Sequence, residues 1–183
     1  MLKRLPQGLI AIICLCGFVF SADTAAIWLD VPFVKQTKDG CGAASIAMVM
    51  QYWAQHGDLV PSPDSDAEQI LAALYSPNAH GIYASKVEAY LQQHGFRTFV
   101  FQGRWDDLQQ HLQKGRPLIV ALKPGHGELH YVVVAGIDTR NNLVMVNDPA
   151  QRKLLKTART RFQKEWAGAG SWTLLAVPMT SVQ

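Results

Sequence analysis

The spacing of apolar and polar residues divides the chain into three stretches. Leu9 to Phe20 is an apolar run of roughly 12 residues behind a positive start at Lys3 and Arg4. The next stretch is helical in period. In CGAASIAMVMQYWAQ, Cys41 to Gln55, the apolar residues Ile46, Val49, Met50 and Trp53 recur on one helix face. A second helix is expected from Ser65, where Ser65 and Glu68 fit a capping box ahead of Ile70, Leu71 and Leu74. A third is expected from about Ala84 to His94, stopped by Gly95. Ahead of these helices, Trp28 to Val34 reads as extended, with Pro32 marking an edge or irregular strand.

After Gly95 the period changes. Phe96 to Phe101 reads as a strand and Trp105 to Lys114 as a short helix ended by Gly115. PLIVALK, Pro117 to Lys123, is a continuous apolar run and so a buried strand. The loop PGHGE leads into HYVVVAGI, His130 to Ile137. Asn141 and Asn142 mark a hairpin turn, and Leu143 to Asn147 returns as the partner strand. A short helix over Thr160 to Ala167 and a last strand over Trp172 to Val177 close the pattern. Helices first and an antiparallel sheet after them make an α+β layout, with no repeat and no linker.

The 183 residues suit one domain once the N-terminal run is set aside. Residues 1–26 are expected to be a signal peptide, cleaved after Ser21 or Ala26 or retained as an anchor, and 27–183 a single domain. The apolar run is shorter than the ~20 residues that span a bilayer comfortably, and Ile13 and Leu15 are poor matches to a lipobox before Cys14 and Cys16. The protein is therefore expected to be periplasmic or secreted, and membrane-bound only if the segment stays uncleaved. Hydrophobic residues make up 49% and charged ones 17%, a globular balance. The formal charge of +3 includes Lys3 and Arg4; without them the chain is near neutral, and no basic cluster points to nucleic acid. Export leaves Cys41 as the single cysteine, a free thiol in an oxidising compartment.

Cys41 sits between Gly40 and Gly42 at the predicted start of a helix. Unpaired N–H groups and the positive end of the helix dipole favour a thiolate there, the nucleophilic form. Its own N–H and the Gln36 side-chain amide are candidate oxyanion donors. His130, at the start of a buried strand after a Gly-rich loop, is the candidate general base. The returning strand ends at Asn147-Asp148-Pro149, and either Asp148 or Asn147 could orient the imidazole, since alternation turns only one of them to that side.

The run VPFVKQTKDGCGAASIAMVMQYW, followed far downstream by LHYVVVAGI and VNDP, resembles the bacteriocin-processing (double-glycine leader) peptidases of the papain-like superfamily. The resemblance implies a papain-like fold, with the nucleophile at a helix start packed on a C-terminal antiparallel sheet. It also implies cleavage of peptide bonds with Cys41 as nucleophile, His130 as base, Asp148 as orienting acid and Gln36 as oxyanion donor, on a peptide or protein substrate and without metal or cofactor. Leader-trimming members are fused to transporters, and this chain has neither a membrane bundle nor a P-loop, so the double-glycine substrate is not carried over. A transpeptidase of the same superfamily and a non-catalytic peptide-binding domain are the alternatives. His126-Gly-Glu-Leu-His130 has its Glu displaced from the zinc-peptidase order and two glycines against a helix; His126 is expected in a loop at the cleft mouth. His56, His80, His94 and His111 are expected to be solvated. Trp53, Trp105, Trp166 and Trp172 are expected in the core or the cleft walls, with Tyr83 and Trp166 as possible groove residues. The segment from Gly57 to Tyr83 has no role that the sequence assigns.

Overall fold

The computed structural model describes residues 26–57, 63–125 and 127–179. The N-terminal run, the expected cleavage site after Ser21, and His126 lie outside them. A seven-stranded antiparallel sheet forms the middle layer, in the order β2-β7-β3-β4-β5-β6, with β1 also paired to β4. The strands are β1 (Ala26–Trp28), β2 (Phe96–Gln102), β3 (Leu118–Leu122), β4 (His130–Asp138), β5 (Leu143–Asn147), β6 (Leu155–Ala158) and β7 (Trp172–Pro178). The helices are α1 (Cys41–Gln55), α2 (Ala67–Leu74), α3 (Ala84–Gln93), α4 (Trp105–Gln113) and α5 (Arg159–Gly168).

Strand alternation sorts the core into two halves. Tyr131, Val133 and Ala135 of β4, with Ile119 and Ala121 of β3, face α1 through Ile46, Ala47 and Met50. Val132 and Val134, with Leu118, Val120 and Leu122, face α4 and α5 through Leu108, Leu112, Phe162 and Trp166. Burial on both faces is why β3 reads as an unbroken apolar run. Helices thus cover both sides of the sheet.

The long extended segment expected over Trp28 to Val34 is a strand only as far as Trp28. β3 pairs with β4 from His130 to Val134 and β1 pairs with the same strand from Gly136 to Asp138. Past Leu29, whose N–H still donates to the Ala135 carbonyl at 2.7 Å, β3 already holds the β4 positions that β1 would need. At the crossing a Cβ on Gly136 would lie 2.7 Å from both the Ile27 carbonyl oxygen and Met145 Cε, so only glycine fits.

Two further differences have local causes. The cap of α2 is Asp66, whose Oδ1 accepts from the N–H groups of Glu68 and Gln69 at 3.0 and 2.9 Å; Ser65 ends the preceding short 3-10 turn, Pro63–Ser65. A carboxylate is the stronger partner for a helix N-terminus, and it displaces the expected Ser65 box by one residue. Strand β6 is four residues long with every second residue exposed, too short and polar to read from its sequence. It continues the sheet because its backbone pairs with β5 from Val146 to Leu143.

Candidate active site

The site lies where the start of α1 meets the start of β4 and the end of β5. Helix α1 begins at Cys41 on Gly40, with no side-chain cap and no acidic residue in its first turn. Its opening N–H groups are therefore left without the usual carboxylate or hydroxyl partner. The Asp39 carboxylate, two residues ahead, receives the Tyr75 hydroxyl at 3.4 Å. Gly42 lets α1 approach its neighbours: a Cβ there would stand 3.2 Å from Ile82 Cβ and 3.4 Å from Tyr131 Cδ2.

His130 and Asp148 are brought together. His130 Nε2 and Asp148 Oδ1 are 2.8 Å apart, and Asp148 is 5% exposed. The ladder between β4 and β5 ends at Val133 opposite Asn147. One residue on, the chain leaves the sheet into the Asp-Pro turn, and the Asp148 side chain is free to reach the imidazole. Asn147 turns elsewhere. Its amide nitrogen donates to the Val31 and Pro32 carbonyls at 3.0 and 3.2 Å, and its oxygen accepts the Leu154 N–H at 2.9 Å. Of the two residues the sequence left open, Asp148 is thus the one beside His130, while Asn147 ties three backbone segments together.

The electrostatics follow this geometry. Burial alone would lower the His130 pKa, but hydrogen bonds to Asp148 and Cys41 and the charges of both overcome it and raise the imidazole to about 9. With Nε2 taken by Asp148, Nδ1 is the atom left for Cys41. Burial pushes the Asp148 carboxyl up; the bond and charge of His130, the Ala150 N–H and the Gln151 amide together hold it below its ordinary value. Gln151, which donates to Asp148 Oδ2 at 2.6 Å, had no signal in the sequence beyond lying near the Asp-Pro turn.

Gln36 enters through its backbone. Its N–H donates to the Pro149 carbonyl at 3.0 Å, which fastens the loop before Cys41 to the turn that carries Asp148. Its side-chain Oε1 is enclosed and has no hydrogen-bond partner.

A cleft of about 520 Å³ opens beside Cys41. The strap Asn78–Ala84 and Gly127–Leu129 line it, together with Lys123 and Tyr131. The strap is a closed turn: Ser76 N–H donates to the Gly81 carbonyl at 2.8 Å and His80 N–H to the Pro77 carbonyl at 3.2 Å. The end of the segment that had no role in the sequence, Asn78–Tyr83, thus lines the cleft. Tyr83 lines it, 49% exposed. Trp166 does not; it is 3% exposed among the residues of α4 and α5 on the other face of the sheet, a correction to its reading as a groove residue. Of the other histidines, His56 and His80 are exposed, as expected, and His94 and His111 are half-buried. His56 and His94 end α1 and α3, stack on Tyr52 and Tyr90, and place Nδ1 2.7 Å from those residues' carbonyl oxygens. His111 Nδ1 is enclosed with no hydrogen-bond partner. Among the described residues no cluster of His, Cys, Asp and Glu forms a metal centre.

Solved structures share this architecture. A C39-like peptidase from Bacillus anthracis superposes with a TM-score of 0.66 at 18% identity, covering 85% of this chain and 99% of its own. A double glycine motif protease from an AMS/PCAT transporter, solved with its leader peptide, gives 0.60 at 23% identity, covering 83% and 94%. The peptidase domain of Streptococcus ComA, a bifunctional ABC transporter of a quorum-sensing pathway, gives 0.60 at 25% identity, covering 80% and 97%. No curated protein matches the sequence. The family described as Peptidase_C39 like matches residues 28–173, from β1 to β7 and across both the Cys41 and His130 motifs. By that match, and by the antiparallel α+β fold that carries it, the chain belongs to the Peptidase_C39 like family, cysteine peptidases of the papain-like type.

Proposed function

We propose that this protein cleaves peptide bonds with Cys41 as nucleophile, His130 as general acid and base, and Asp148 as the group that orients His130. One observation carries the reading: His130 Nε2 lies 2.8 Å from the buried Asp148 carboxylate, and Cys41 together with Asp148 holds the imidazole proton against the effect of burial. In the proposed cycle the Cys41 thiolate, paired with the His130 imidazolium, attacks the amide carbonyl and forms a C–S bond. The oxyanion is held by the Cys41 N–H at the uncapped start of α1 and by the Gln36 side-chain amide. His130 passes its proton to the leaving amine as the C–N bond breaks. It then takes a proton from water, which attacks the thioester, releasing the acid and restoring the thiol pair. Asp148 keeps the imidazole in the tautomer that presents Nδ1 to Cys41.

A peptide substrate fits the relatives, one of which was solved with a leader peptide bound. Export fits Lys3, Arg4 and the Leu9–Phe20 run, all of which precede the family match. The test is the rate at which iodoacetamide alkylates Cys41 at pH 7. The expected result is a loss of at least ~10-fold in His130→Ala. Equal rates in the two proteins would remove the ion pair and with it the peptidase reading.

A further inference from the structure

Tyr131 carries a group that the fold does not use. The residue follows His130 on β4 and is 6% exposed. Its ring is fixed on two sides, against Gly42 at the start of α1 and edge-on to Trp172 at a centroid distance of 5.5 Å. A phenylalanine would make those contacts equally well. The hydroxyl is the surplus atom: among the described residues no side chain or carbonyl bonds it, and Tyr131 lines the Cys41 cleft. Among the described residues, the enclosed side-chain polar atoms without a partner are Gln36 Oε1, Ser45 Oγ and His111 Nδ1. The Tyr131 hydroxyl is not among them, so it is not sealed in the core, and the open space that Tyr131 borders is the cleft.

We propose that the Tyr131 hydroxyl is a substrate-binding group, a hydrogen-bond donor to a main-chain carbonyl of the peptide held beside Cys41. The proposal rests on the peptidase reading above and adds a specificity residue to it. Burial and the charge of Cys41 raise the phenol to about 12, so it keeps its proton at any working pH and serves as a donor. The acceptor follows from the substrate: an extended peptide offers one carbonyl per residue, and no protein acceptor competes for this hydroxyl among the described residues. The ring packing fixes the donor in place before substrate arrives, so little rotamer entropy is lost on binding. The cleft then reads the backbone at this point, with side-chain selection left to the strap and to Leu129.

The test compares two reagents on Cys41 in the mature protein: iodoacetamide, which needs no cleft, and acetyl-Leu-Gly-Gly-chloromethyl ketone, which must lie in it. In both reactions the sulfur bonds to the methylene carbon and halide leaves. The wild-type protein is expected to react faster with the peptidyl reagent. Tyr131→Phe should lose about 10-fold of that rate, with its iodoacetamide rate and melting temperature unchanged. In the wild-type protein, one analogue with a single carbonyl replaced by methylene should lose about the same factor, and Tyr131→Phe should not distinguish that analogue from the parent reagent.

An undiminished peptidyl rate in Tyr131→Phe overturns the proposal and leaves the peptidase reading standing. An equal loss with both reagents also overturns it, placing Tyr131 with the environment of Cys41 instead of the substrate. A wild-type protein that gains nothing from the peptidyl reagent overturns the proposal, while the peptidase reading is decided separately by the iodoacetamide rate of His130→Ala.

Discussion

Three helix N-termini in this protein are finished in different ways. Helix α2 is closed by the Asp66 carboxylate, which takes two of its N–H groups. Helix α4 is tied at its start by Asp107, whose Oδ2 accepts the Arg104 N–H at 2.8 Å. Helix α1 is the longest of the three and has neither, starting on Gly40 without a side-chain cap. Capping is worth about 1 kcal/mol, so α1 forgoes stability that two shorter helices take. Its packing compensates, because Ala43 to Met50 are buried against the sheet and the neighbouring helices. Helices α3 and α5 also begin without a side-chain cap, so an open end is not in itself a mark of chemistry; what sets α1 apart is that its open end carries Cys41 and borders the cleft.

Substitutions can break that contrast from either side. The largest effect is expected from Cys41→Ala, which should abolish peptide turnover while the circular dichroism spectrum and melting temperature stay at wild-type values. Next is Asp148→Ala, expected to lower kcat/KM by roughly 10- to 100-fold, less than His130→Ala does.

The pH profile sharpens the same point. His130 holds its proton up to about 9, so kcat/KM should stay level through neutrality and fall as pH rises through that value. In Asp148→Asn, which loses a group that raises the imidazole, the fall should come at lower pH. Stability has the same sign. The folded-state value lies above the ordinary 6.5, so this contribution is fully present below about pH 6.5 and is lost as pH rises through about 9. Denaturant titrations of wild type and Asp148→Asn at pH 6 and pH 10 should differ more at the lower pH.

Asn147→Ala separates architecture from chemistry. It removes bonds to Val31, Pro32 and Leu154, at a cost of about 1–3 kcal/mol from the buried backbone groups left unpaired. At a temperature where the variant is folded it should damage turnover less than Asp148→Ala. The reverse order of activities would transfer the orienting role to Asn147. The smallest effect is expected from Asp66→Ala: about 1 kcal/mol of stability, with kcat/KM at the wild-type value. A loss of activity there would mean that α2 acts on Cys41 through the Tyr75–Asp39 contact.

Most of the elements were legible because one face of each helix and strand must be buried. The boundaries of α1, α3, β3, β4 and β5 fall within a residue or two of the periodic pattern. The α2 cap was misplaced by one residue, since Ser65 and Asp66 both satisfy a capping signal and only the backbone angles choose between them. Strand β6 gave no signal because a short edge strand owes its existence to its neighbour. The short Cys-Gly, His-Tyr-Val-Val and Asn-Asp-Pro motifs were visible because each combines a reactive residue with a turn or strand signal.

The sequence by itself determined the α+β class, the residue types at the start of α1 and β4, and the Asp-Pro turn that ends β5. These depend on local periodicity and turn chemistry, which neighbouring residues encode. The tertiary structure alone decided that Asp148 rather than Asn147 lies beside His130, because the ladder must end before a side chain can leave the sheet plane. It alone made Asn78–Tyr83 part of the cleft lining and set Tyr131 on that cleft. Contacts of that kind join residues far apart in the chain, and their geometry exists only once the sheet, α1 and the strap have packed together.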